Sequence, residues 1–146
     1  MDTLLKVLHV VGAVFIVGPM AILPMSAMRA IRARNASQVS LLAKSTNIFS
    51  LLSLIVAFLG FAAMGMSDPK DKLSMGTPWI LFSLIFYAVA IVLSLAVVVP
   101  TLRRAASELE SAAAPDAAPR YPAIAAGSGV VSLLLIAVVV LMVWRP

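Results

Sequence analysis

Residues 4–20 read LLKVLHVVGAVFIVGPM. Apolar side chains run through the stretch almost without a break. Lys6 and His9, both near its start, are its only ionisable residues. No further charge occurs until Arg29, so the run extends to about residue 28. Roughly 20 apolar residues cross the hydrocarbon core of a bilayer, and Lys6 stands close enough to the end to reach the interface with its ammonium group. Asp2 stands where a signal peptide would carry a basic cluster, and the apolar part exceeds the h-region of such a peptide, so the segment is expected to be retained.

Three more runs of the same kind follow. The spans are expected at about 3–28, 45–66, 79–102 and 123–144, and none holds an acidic residue. Of the 146 residues, 62% are hydrophobic and 12% charged, against about half and about a quarter in an ordinary soluble domain. Backbone polar groups in hydrocarbon must pair within their own segment, so each run is predicted to be a helix. Short connections make neighbours antiparallel. The expectation is an all-α, integral membrane four-helix up-and-down bundle, with 1–146 forming a single membrane domain.

The net charge of +5 does not point to nucleic acid, because the basic residues sit in short segments between apolar runs rather than on one face. Arg29, Arg32, Arg34 and Lys44 lie around the first connection, and Arg103, Arg104 and Arg120 around the third. The second has Lys70 and Lys72 beside Asp68 and Asp71. The positive-inside rule then places connections one and three in the cytoplasm and both termini outside. Trp79 and Trp144 fall at the outer ends of their spans, where an aromatic belt sits. The third connection, 103–122, is Ala/Pro-rich, and Pro115, Pro119 and Pro122 interrupt any continuous helix there; it reads as a tether. Glu108 and Glu110 beside Arg103 and Arg104 read as a solvated charge run.

Membrane helices pack through small residues and side-chain hydrogen bonds, and each span carries such a stripe. His9, Gly12, Ala13 and Ile16 share one face of the first, continued by Pro19 and Met20. Asn47, Ser50, Ala57, Gly60 and Met64 follow helical spacing in the second. Ser83, Tyr87, Ala90, Ser94 and Thr101 do so in the third. Ser128 and Ser132 align with Ala125 and Ile136 in the fourth. Gly12, Ala13, Gly60, Ser83, Ser94 and Ser132 are therefore the expected helix-packing residues. A polar lining for a substrate path is the other reading. Ion and proton paths use charged groups inside the spans, and none stands in mid-span here. Pro19 and Pro24 each remove a backbone donor and free a carbonyl one turn earlier, at Phe15 and Met20, which predicts a bend in the first helix.

His9 is the only histidine. It lies about 9 Å into the first span at 1.5 Å per residue, at the depth of Ser83 and Tyr87 and near Met64 and Met66. Its leading reading is a neutral imidazole whose N–H is satisfied by Tyr87, Ser83 or a backbone carbonyl. Two metal readings stand beside it. In the first, His9 is an axial ligand to haem b, with a Met or a second copy's His9 across the ring, since iron accepts His/Met pairs. Alternatively it shares Cu(I) with the thioethers of Met64 and Met66, because soft ligands suit that ion. The chain has eight methionines, but methionine is also a common gap-filler. A proton relay finds no carboxylate to continue it.

The first span resembles that of several small bacterial membrane families opening with Leu-Lys-x-Leu-His-x-x-Gly-Ala. They include predicted integral membrane proteins of unknown function, the membrane domain of the copper-resistance-D group and, more distantly, the HemJ-type protoporphyrinogen oxidases. Lys6, Leu8, His9, Gly12, Ala13 and Gly18 carry the resemblance, over about 20 residues. It implies a bacterial cytoplasmic membrane location and, by analogy, haem or copper at His9. The sequence departs from those families in lacking a second His and a Trp before Gly18, where Ile16 and Val17 stand. It fits the uncharacterised group best.

There is no Ser-His-Asp set at one depth, no paired carboxylate within a span, no glycine-rich phosphate loop and no cysteine. The functional expectation is a non-catalytic membrane protein without a cofactor. Its partners are the lipid bilayer and either itself or other membrane subunits, with no nucleic acid. The alternative is a haem- or copper-binding redox protein centred on His9.

Overall fold

The computed structural model describes residues 2–67, 69–72, 74–111 and 121–146. Four helices are long and apolar enough to span a membrane: α1 (Thr3–Arg32), α2 (Ala36–Gly65), α3 (Pro78–Glu110) and α4 (Pro122–Trp144). Among the described residues there is no strand. The architecture is the all-α membrane bundle that the four apolar runs require. Each helix packs on its neighbour in sequence, and α4 returns to the C-terminal half of α1.

Three helices run past the expected spans, α1 by ending at Arg32. α2 begins at Ala36, and α3 continues to Glu110. Packing explains the extension. Val39 and Ala43 of α2 are buried with Leu102, Ala105 and Ala106 of α3, and Ala27, Ala30 and Ile31 of α1 join the same cluster. Arg103, Arg104, Glu108 and Glu110 stay exposed on the other face of α3. The Ala/Pro-rich stretch with Pro115 and Pro119 lies outside the described residues.

Three residues, Ala33, Arg34 and Asn35, turn the chain from α1 into α2. The amide of Asn35 donates to the Ala30 carbonyl and that of Arg34 to the Ile31 carbonyl, each at 3.0 Å. These crossed bonds form a Schellman motif, which needs a left-handed residue at its centre. That residue is Arg34, with φ 52°. Asn35 then caps α2, its side-chain oxygen accepting from the Gln38 amide at 3.2 Å. At the opposite end Thr77 and Pro78 start α3, where a proline at the first helical position loses no bond.

α1 and α3 each contain one π turn, at Ala13–Val17 and Ser94–Val98. The amide of Gly18 reaches back five residues to the Ala13 carbonyl, and that of Val99 to the Ser94 carbonyl. A proline follows each turn after one residue: Pro19 and Pro100. The missing N–H and the ring's clash with the carbonyl four residues back make the regular ladder unsustainable there, and a wider turn absorbs the defect. Pro24 lies within the α-helix that follows, buried. The π turn ahead of Pro19 is the irregularity found in the first helix.

The core is lopsided. In α1 the buried residues are Met20, Pro24, Ala27, Ala30 and Ile31, all beyond the π turn. In α4 the buried line runs Ile124, Ser128, Val131 and Leu135 and stops there. Ile136, aligned with the packing face in the sequence reading, is 58% exposed. The stripe read from Ser128 and Ser132 was one residue out of register at its far end, because Leu135 takes the inward place.

Candidate functional site

The N-terminal half of α1 packs on α2 and makes no comparable contact with α3. This decides what His9 meets. Its Nδ1 lies 2.8 Å from the carbonyl oxygen of Val56. A carbonyl only accepts, so Nδ1 carries the proton; in the neutral ring Nε2 then keeps its lone pair. Val56 thus fixes the tautomer. The close approach depends on the next turn of α2. A Cβ at Gly60 would stand 2.8 Å from His9 Cε1, 3.1 Å from Nδ1 and 3.5 Å from Nε2. The Nδ1–Cε1–Nε2 edge of the ring therefore rests on bare backbone. One turn along α1, a Cβ at Gly12 would meet Val56 Cγ2 at 3.0 Å. His9 and Gly12 interlock with Val56 and Gly60, a glycine on each helix making room for a larger side chain on the other.

Of the three alternative partners, neither Tyr87 nor Ser83 bonds His9. The backbone carbonyl is the partner found. Ser83 is buried and donates to the Trp79 carbonyl of its own helix at 2.7 Å. Tyr87 is bonded to Ser53, oxygen to oxygen, at 2.8 Å. Ser53 spends its own proton on the Ser50 carbonyl, 2.6 Å away, so the phenol is the donor of that pair. Ser50 and Ser94 meet at 2.8 Å. Four hydroxyls thus tie α2 to α3 near mid-height. Ser53, fully buried, lay outside the stripe read from the sequence; its spacing of three from Ser50 was the available signal.

Met64 is half-buried one helical turn beyond Gly60, on the same face of α2. Met66 is 51% exposed just past the helix end. Among the described residues no group of three or more His, Cys, Asp or Glu side chains gathers. Ser132 of α4 donates to the Ala21 carbonyl of α1 at 3.2 Å, next door to Met20, whose carbonyl loses its partner to Pro24. Ala13 is half-buried at the start of the π turn. At the same end of the bundle the Arg145 guanidinium lies 5.7 Å from the centre of the Trp79 ring, a cation–π distance.

A family model described as predicted integral membrane protein (DUF2269) matches residues 3–146. No curated protein matches the chain, and no solved structure does.

Proposed function

The chain belongs to the DUF2269 family of predicted integral membrane proteins, and from that premise we propose that it is a non-catalytic packing subunit. It assembles with copies of itself or inside a larger membrane complex. The lopsided core carries this reading. The His9 half of α1 leans on α2 alone, and its inward face has no buried residue before Met20. Such a face suits another protein helix. In mild detergent the particle should be heavier than one 15.4 kDa chain with its detergent. A monodisperse monomer would overturn the reading.

The second reading rests on the tautomer of His9. Metal-ligating histidines typically donate one ring N–H to a carbonyl or carboxylate and offer the other nitrogen to the metal. Val56 holds His9 in that state. Haem b would be held through Nε2 of His9; Cu(I) would be held by Nε2 together with the thioether of Met64, the better placed of the two methionines. Purified protein should then show either a Soret band or stoichiometric copper, and His9→Ala should abolish it. Protein isolated from fresh membranes with neither signal would sink this reading.

The location proposed is the bacterial cytoplasmic membrane with both termini outside. Exposed Arg29, Arg103 and Arg104 at one end of the bundle support it through the positive-inside rule. Trp79 at the other end supports it as an interfacial aromatic.

A further inference from the structure

Every helix of this bundle carries a weak point in its middle part. In α1 it is the π turn Ala13–Val17 with Pro19 behind it, and in α3 the π turn Ser94–Val98 with Pro100. In α2, Ser53 donates to the Ser50 carbonyl, a hydroxyl–backbone bond of the kind that bends helices. In α4 the run is Gly127, Ser128 and Gly129, with Ser128 donating to the Ala125 carbonyl at 3.3 Å. Cross-helix contacts place the four in one central band but staggered along it, the α1 point toward the His9 end and the Gly127–Gly129 run of α4 on the arginine side of the Ser132–Ala21 contact. Gly12 abuts Val56; Ser50 and Ser94 are 2.8 Å apart; and a Cβ at Gly127 would stand 3.2 Å from Val98 Cγ2.

The two sides of that band pack differently. Toward the arginine end all four helices share one buried cluster, including Met20, Ala27, Val39, Ala43, Leu102, Ala105 and Ile124, which toward the His9 end continues on α3 and α4 alone through Ala90, Ile91 and Leu135. Toward the His9 end the close contacts run within pairs: α1 with α2, and α3 with α4.

We infer that the bundle is hinged across this band, with a fixed four-helix base at the arginine end and two arms that open and close at the His9 end. Pro19 and Pro100 have no N–H to lose, so bending there breaks fewer backbone bonds than elsewhere in a helix. The first arm, α1 with α2, carries His9, Val56 and Gly60 as one locked unit. The second, α3 with α4, carries Tyr87. The bond from Tyr87 to Ser53 is the latch between them. Opening strands few polar groups, since Ser83 and Ser53 already donate to carbonyls of their own helices. It sacrifices the latch and uncovers apolar side chains to lipid, which solvates them.

The chain has no cysteine, so paired spin labels test the hinge directly. Phe58→Cys with Val139→Cys reports between the arms; Ser40→Cys with Ser107→Cys reports within the base. All four positions are exposed. Labelled protein is diluted with excess unlabelled chain in lipid nanodiscs, so that only distances within one copy are read. The arm pair should give a broad or two-peaked distance distribution and the base pair a single narrow one. Tyr87→Phe should move the arm distribution to longer distances and leave the base pair unchanged. Pro19→Ala combined with Pro100→Ala should narrow it. The unchanged base distance also shows that each variant is folded. Equal widths in the two pairs, an arm distance indifferent to Tyr87→Phe, or a base pair that broadens with the arms would each overturn the hinge.

Discussion

The imidazole of His9 occupies the space that a side chain at residue 60 would need: a Cβ on Gly60 would lie 2.8 Å from His9 Cε1. The ring cannot retreat without giving up its bond to the Val56 carbonyl. Glycine at 60 and histidine at 9 are therefore coupled, although they stand on different helices.

Gly60→Ala should destabilise the protein by about 1 kcal/mol, the scale of an interhelical hydrogen bond in a membrane bundle. His9→Ala should cost a similar amount. In the His9→Ala background the Gly60→Ala change should be neutral or slightly stabilising, because nothing then opposes the new methyl group and Ala is the better helix former. Unfolding of the four proteins in mixed micelles gives the cycle. Additive effects would mean that the ring and the glycine are independent.

Arg34 holds a left-handed conformation, φ 52°, at the centre of the Schellman turn. A residue with a Cβ carries roughly 1 kcal/mol of strain there. Its side chain makes contacts of its own, so the informative comparison is between Arg34→Gly and Arg34→Ala, which lose those contacts alike. The glycine variant should be the more stable by about 1 kcal/mol in the same unfolding assay. Equal stabilities would count against strain at this turn.

The Ser50–Ser94 pair should couple weakly. Polar interactions between membrane helices average about 0.6 kcal/mol in double-mutant cycles. Ser50→Ala and Ser94→Ala should each cost roughly that, and the double variant should cost little more than either one. A loss several-fold larger would mean that the pair supports the neighbouring Tyr87–Ser53 bond as well.

The orientation can be read with single cysteines at Ser37 and Ser74, both exposed and at opposite ends of the bundle. An impermeant reagent applied to intact cells should label position 74 and spare position 37. The reverse pattern would invert the topology.

The helices were legible in the sequence because a bilayer leaves an apolar run of this length almost no other structure. Asn35 as a cap and Pro78 at a helix start follow local chemistry. The inward faces were legible only in part. The stripe of α1 continues into buried Met20, whereas Ile136 of α4 faces outward and Ser53 was passed over, since a small hydroxylated residue suits either face in lipid. The partner of His9 was not legible. Depth placed Tyr87 and Ser83 beside it, but the N-terminal half of α1 leans toward α2, and a main-chain carbonyl leaves no mark in the sequence. Proline was an ambiguous sign of the π turns: Pro19 and Pro100 each follow one, while Pro24 sits in regular α-helix.

The three-residue turn at Ala33–Asn35 also bears on biosynthesis. It joins α1 and α2 into a hairpin whose contacts lie close in sequence, so this pair can associate as soon as both segments have left the translocon. The closing contact is of another kind: Ser132 reaches Ala21 across 111 positions and cannot form until nearly the whole chain has been made. During that interval the inner face of α1 around Met20 and Ala21 must wait in the membrane without α4, shielded only by its hairpin partner, by lipid, or by whatever insertion factor attends the growing chain.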